Sequence, residues 1–340
     1  MRLAWLTRAS VLNSLPRPGA AQPVLPIRSF RPVRSRSTAA GTCATLFSAM
    51  TSWILVNPRI ALAGFAAAVL LIPARPARAV LFYSTADPSY QTNVPTKAFT
   101  NSGWQYVGLW GHFTGTAIAP NFFITTRHIG GSIGDPFIFH GTTNLTTGAY
   151  DDAESDLKIW RVNGTLAPIA PVYTKRKERH KGEVVIGRGT QRGAEVRANG
   201  VLSGWQWGDY DGVQRWGRSI VASIVPGDIG AGDLLLSAFK AKSASSGVDL
   251  SSGDSGGPVF IKDGKFWKLA GVNYGVNALY NTTNSGAGFA ASMFDSRGLY
   301  VGDGTNWVLV PNLHTKIPGG FYATRISSRT NWINSITQQP

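Results

Sequence analysis

Residues 251–260 read SSGDSGGPVF, and this decapeptide decides how the rest of the chain is read. Ser255 follows an aspartate and precedes two glycines, with Pro258 close behind. A helix does not tolerate a Gly-Gly-Pro run, and a plain strand is weakened by it. The stretch therefore predicts a tight turn that enters a strand over 258–261. A serine on such a turn can present its hydroxyl beside free backbone N–H groups, which is the posture of a nucleophile. The plain alternative is a surface turn, and the surrounding chain has to choose between the two.

The surroundings are short apolar stretches separated by Gly, Asn, Asp and Pro. They fall at 106–110, 116–118, 122–125, 137–139, 157–162, 184–186, 219–225, 258–261 and 268–273. That spacing predicts antiparallel strands in a barrel or sandwich. Helical periodicity appears only at the end. There SSRTNWINSI (327–336) places Trp332, Ile333 and Ile336 on one face, after a serine-rich N-cap. GWQWGDYDGVQRW (204–216) reads as a hairpin around residues 209–212, its tryptophans in the core or paired across strands. The charge run KRKERHK (175–181) reads as a solvated loop, and no nucleic-acid partner is expected.

Composition bounds the class. Hydrophobic residues make up 43% of the 340 and charged ones only 15%, enough apolar surface for a packed core. The net charge of +15 suggests an anionic partner, but it is concentrated at one end. Residues 1–79 carry ten arginines and no acidic side chain; the remainder has 23 basic groups against 18 acidic ones, a net of +5. Residues 50–79 have Arg59, an apolar run over 60–72, and the tripeptide Ala77-Arg78-Ala79. That order predicts a signal peptide cut before Val80, hence a secreted or periplasmic protein. The apolar run is short of the roughly 20 residues a membrane span needs, so no stable membrane association is expected after cleavage. Residues 1–49, rich in Arg, Ser and Pro, read as a non-native extension or a transit-like segment, and 80–340 as the working domain. The single cysteine is Cys43, so that domain has neither a disulfide nor a thiolate metal site. The five histidines show no H-E-x-x-H pairing; no metal and no cofactor is expected, and the domain is read as a monomer.

A nucleophilic Ser255 needs a base, and the base needs an orienting carboxylate. His128, in FFITTRHIGG, ends an apolar strand, where an imidazole can project into a cleft; a structural histidine is the alternative. Asp156, in SDLKIWRV, opens a strand of bulky apolar residues that would shield it. Asp151, Asp152 and Glu154 lie in a polar loop without that shelter.

Together GDSGGP around Ser255, Thr-Thr-Arg-His ending at His128, and Asp156-Leu157 opening a strand resemble the three catalytic segments of the chymotrypsin/trypsin family of serine proteases. The order His, Asp, Ser is that family's order. VNYG (272–275) resembles the strand that pairs with substrate backbone, and PGGFYATRISSRTNWI the closing strand and C-terminal helix. The resemblance spans about residues 104–336. It implies an all-β fold of two packed six-stranded antiparallel β-barrels with a C-terminal helix, cutting protein or peptide substrates. It assigns His128, Asp156 and Ser255 to catalysis, and the N–H groups of Gly253 and Ser255 to an oxyanion hole. Asp249, Asn273, Gly275 and Gly319 take substrate-binding places, with Asp249 favouring Arg or Lys. Asp254 is implied to support the serine loop, paired with the Val80 amine, with His112, or with neither.

Several places depart from the family. Thr114 and Ile129 stand where a disulfide is usual, and Ser251 replaces the cysteine of the serine loop. An insertion, 276–316, separates VNYG from PGG and is expected beside the cleft, as a lid or a folded hairpin. Two other readings stay open. G-D-S-G-G also satisfies the nucleophile elbow of an α/β-hydrolase-type esterase, with His314 as base, but that needs a helix after the serine. A catalytically silent binding protein on the protease scaffold is the other.

Overall fold

In the computed structural model, which describes Val24–Pro26 and residues 80–241, 247–277 and 279–339, two short strands come first: β1 (Val24–Pro26) and β2 (Leu81–Phe82). Then follow β3 (Val107–Trp110), β4 (Phe113–Ala119), β5 (Phe122–Thr126), β6 (Pro136–Phe139), β7 (Thr142–Asp151) and β8 (Leu157–Val162). These six close into an antiparallel barrel in the order β3-β4-β5-β8-β7-β6. Alternation explains the closure. In β6 only Phe137 and Phe139 are buried, and they point inward with Trp110, Phe123 and Trp160. The rings of Phe123 and Phe137 stack 3.8 Å apart.

The remaining strands are β9 (Gly182–Gly187), β10 (Thr190–Ala198), β11 (Val201–Tyr210), β12 (Arg215–Pro226), β13 (Asp233–Ala238), β14 (Val248–Asp249), β15 (Pro258–Asp263), β16 (Phe266–Asn277), β17 (Leu279–Asn281), β18 (Ala291–Met293), β19 (Tyr300–Gly302), β20 (Trp307–Leu309) and β21 (Gly320–Arg325). A second six-stranded barrel runs β16-β15-β9-β12-β13-β21 and closes by pairing β16 with β21. Its interior holds Val185, Val221, Leu235, Val259, Ile261 and Phe321.

The two barrels share a seam. All five residues of β5 are buried, because its two faces serve two cores. Phe123 points into the first barrel, while Phe122 and Ile124 join Leu157 and Ile159 against Val184, Ile186, Phe260 and Leu269 of the second. Burying a side chain of this size stabilises by about 1.5–3 kcal/mol, so the seam fixes how the barrels meet.

Two expectations fail here. The stretch 204–216 does not form a hairpin. β11 pairs with β10 and β18, whereas β12 pairs with β9 and β13, so the residues between them carry the chain from one sheet to another. Trp205 and Trp216 accordingly lie in different clusters. Asp152 is not an unsheltered loop residue. It is 1% exposed and takes a two-pronged pair from Arg329, at 2.6 Å on each oxygen.

That pair anchors the C-terminal helix. Helix α1 (Thr330–Thr337) starts one residue after Arg329, with no side-chain cap from the serines, and lays Ile333 on the seam beside Trp332 and Ile336. Removing one partner of a buried ion pair strands the other's charge. Arg329→Ala is therefore expected to lower the free energy of unfolding by about 3 kcal/mol in urea denaturation. Adding Asp152→Ala to that variant should restore part of the loss.

Candidate active site

The polypeptide leaves β5 at Thr126, and His128 follows two residues later. Asp156 stands immediately before β8, which is paired with β5. Their backbones are tied: Arg127 N–H donates to the Asp156 carbonyl at 2.6 Å, and His128 N–H to Asp156 Oδ1 at 3.2 Å. The side chains meet as a consequence. His128 Nδ1 and Asp156 Oδ2 lie 2.5 Å apart, and Asp156 is 5% exposed. With the proton on Nδ1 donated to Asp156, Nε2 is left to accept, and Ser255 Oγ lies 2.9 Å from it. Tyr274, on β16, sets its ring edge-on to the imidazole, 6.0 Å between centroids. The first barrel thus brings the imidazole and carboxylate, and the second brings the hydroxyl.

The serine loop is shaped by close approaches. Gly253 has φ +98°, a backbone that side chains rarely adopt, and a Cβ there would meet Gly189 Cα at 2.9 Å. Gly256, at φ +78°, leaves no room for a Cβ beside Thr125 Oγ1 and the Thr114 carbonyl. Thr125 Oγ1 donates to that carbonyl at 3.0 Å, so a hydrogen bond ties β5 to β4 beside the serine loop. Ser251 acts similarly. Its hydroxyl accepts from Thr190 N–H at 2.6 Å and donates to the Thr190 carbonyl at 2.7 Å, joining the loop to β10.

Asp254 is fully buried. Gly189 N–H donates to Oδ1 at 2.7 Å and Ser251 N–H to Oδ2 at 2.8 Å. Burial pushes its pKa up to about 7 against the pull of these donors. Among the described residues no cation pairs with it. His112 is not its partner: that residue is exposed, and its carbonyl accepts the Tyr210 hydroxyl at 2.8 Å. The residues that make Asp254's pocket, Gly187 and Gly189, escape the sequence reading. A Cβ on either would fall within 2.6 Å of the carboxylate. The signal is Gly-Arg-Gly-Thr (187–190), inconspicuous without the fold.

Asp249 lies on β14, paired with Leu81 of β2, and is 2% exposed. Leu250 N–H donates to it at 3.0 Å; burial raises its pKa to about 7, against the pull of that donor and of the nearby Ser292. Ser292 belongs to the insertion, which is not a loose lid. Its β18 pairs with β11, and β17, β19 and β20 form a three-stranded sheet. Tyr280, also of the insertion and fully buried, brings its hydroxyl to 2.6 Å from where a Cβ on Gly319 would stand. At Gly319 the expected open wall is therefore occupied. Asn273 fixes the loop from below, donating to the carbonyls of Ile186 and Asp254 at 3.0 Å each. Gly275 stands on the same strand two residues on.

Residues after Ser255 enter a strand, β15, and not a helix, which removes the nucleophile elbow; His314 lies exposed outside the cluster. The two closed barrels with a C-terminal helix fit a trypsin-like fold. Neither the protein-family models nor the curated proteins compared with the chain give a match.

A carboxyl whose pKa is higher folded than unfolded stabilises the fold below its unfolded value and loses that contribution as pH rises through the folded one. For Asp249 the window runs from about 3.8 to about 7. Asp249→Asn carries no charge to bury. Its stability relative to the wild type should therefore rise between pH 4 and pH 8, by a few kcal/mol. Thermal melts of both proteins across that range check the sign.

Proposed function

We propose that the chain is a serine-type endopeptidase. The observation that carries this reading is the continuous contact from Asp156 through His128 to Ser255, at 2.5 and 2.9 Å, across the seam of two barrels. Ser255 Oγ attacks the scissile carbonyl while its proton passes to His128 Nε2. Asp156 keeps the imidazole proton on Nδ1 and stabilises the charge that develops. The N–H groups of Gly253 and Ser255 take the oxyanion, and the φ of +98° at residue 253 is one that glycine adopts freely. His128 then returns the proton to the leaving amine, and water hydrolyses the acyl-enzyme.

Substrate backbone lies along Asn273 and Gly275 on β16. Asp249 sits at the end of the primary pocket and selects Arg or Lys, since an apolar group would leave the carboxylate unpaired when ionised. Export fits the reading of 50–79 as a signal peptide, which lies outside the described residues; the exported protein then begins at Val80, and N-terminal sequencing of secreted material tests it.

Ser255→Ala and His128→Ala should each lower kcat/KM on peptide substrates by about four orders of magnitude, with unfolding curves unchanged; Asp156→Asn should be nearly as severe. Full activity in Ser255→Ala sinks the assignment, and so does failure of the wild type to react with a serine-phosphonylating reagent. For specificity, Asp249→Ser should erase the preference for cleavage after Arg and Lys in a mixed peptide library. Equal cleavage after Phe, Leu and Arg by the wild type would refute the role of Asp249.

A further inference from the structure

Beside the serine loop two side chains reach over to the first barrel. Tyr210, the last residue of β11, donates its hydroxyl to the His112 carbonyl at 2.8 Å. Arg188, between β9 and β10, donates from Nη1 to the Gly111 carbonyl at 3.0 Å and from Nε to the Gly212 carbonyl at 2.5 Å. Gly111 and His112 form the turn between β3 and β4. The His112 imidazole also meets the Tyr210 ring edge-on, 5.5 Å between centroids. None of these contacts involves His128, Asp156 or Ser255.

What they bear on is Gly253. The place a Cβ on that residue would take is walled by Tyr210 Cε2 at 3.1 Å, the Arg188 carbonyl oxygen at 3.2 Å and Gly189 Cα at 2.9 Å. The wall matters because a glycine leaves a φ of +98° at little cost. A donor that stabilises an oxyanion has to be aimed before the reaction, since turning it during attack adds to the barrier. Residue 253 has no side chain to hold that aim. The buried carboxyl of Asp254 anchors the loop one residue further on, so residue 253 itself depends on its neighbours.

We propose that Tyr210 is a positioning residue for the oxyanion hole: tied to His112 of the first barrel, its ring holds Gly253 so that the N–H stays aimed at the scissile carbonyl oxygen. The proposal rests on the peptidase reading. Tyr210 acts through Gly253 and donates nothing to the reacting atoms. Its hydroxyl fixes the wall of the hole to the barrel that carries His128, so base and oxyanion donor keep one spacing. Losing the hydroxyl releases the ring from His112, and losing the ring removes one wall from Gly253. Either change should slow the chemical step and leave substrate binding as it was, because the oxyanion exists only during reaction.

The test compares wild type, Tyr210→Phe and Tyr210→Ala on a peptide anilide that the wild type cleaves. An anilide has no residues beyond the bond cut, so contact between Tyr210 and the leaving side of a substrate cannot contribute. kcat is expected to fall about tenfold in Tyr210→Phe and about 100-fold in Tyr210→Ala, with KM within about twofold of wild type. The matching peptide aldehyde, whose adduct with Ser255 places a tetrahedral oxygen in the hole, should lose affinity in step with kcat/KM. The matching peptide alcohol forms no adduct and should bind as it does to wild type. Unchanged kcat in Tyr210→Ala, a raised KM at constant kcat, or equal weakening of aldehyde and alcohol overturns the positioning role, while turnover by the wild type keeps the peptidase reading. Where Tyr210→Ala does not fold, Tyr210→Phe, which lacks only the hydroxyl, decides by the same readouts. A wild type that neither cuts peptides nor reacts with a phosphonylating reagent overturns both.

Discussion

A fully buried carboxyl without partners costs several kcal/mol, and the Asp254 carboxyl is fully buried at the root of the serine loop. The chain meets that demand with backbone N–H groups from Gly189 and Ser251, and it can do so only because residues 187 and 189 have no side chains. Much else follows from this fixed point. With Asp254 turned inward, Gly253 is forced to positive φ and Ser255 is carried to the seam. There Gly256 rests on Thr125 and Thr114 of the first barrel. The loop is thus a pin between barrels, and the 2.9 Å contact of Ser255 with His128 depends on both being seated against it.

The pin is held without a disulfide in the described residues. Ser251 bonds both backbone groups of Thr190, and Thr125 bonds the Thr114 carbonyl. Each such bond contributes about 0.5–1.5 kcal/mol, against about 2–4 for a cross-link. The difference is offset by packing. Trp110, Phe123, Phe137 and Trp160 fill one barrel, and the doubly buried β5 joins it to the other. A chain of this size buries enough apolar surface to dispense with staples.

Strand identity was legible wherever a face is buried. Residues 157–162 read as a strand and are β8 over Leu157–Val162; four of the six are buried, so the apolar stretch itself marks the strand. That Ser255, His128 and Asp156 come together was legible because each sits at a strand end beside a distinctive local motif. Pairing was not legible. The 204–216 stretch has the turn residues of a hairpin, but Trp205 and Trp216 pack into separate clusters, and that long-range preference overrides the local turn. Asp152 was misjudged for the same reason: its partner, Arg329, lies at the opposite end of the chain. The role of Gly187 and Gly189 depends on Asp254, more than sixty residues on, so no window of sequence contains it.

How the loop is readied bears on how the site is controlled. In one arrangement Asp254 waits for an amine made by cleavage; in another a histidine holds it in a resting state. Here its two oxygens already have backbone donors in the continuous chain, and His112 takes no part. The contacts from Asp156 to Ser255 are formed in that same continuous chain. Further upstream, β2 pairs Leu81 with Asp249 and Val80 is fully buried, so the start of the segment after the expected signal cut is fixed beside Asp249. Along the edge of β16, Gly275–Asn277 pair with β1. The serine loop beside it is complete in the continuous chain, held by backbone donors that no cut has to supply.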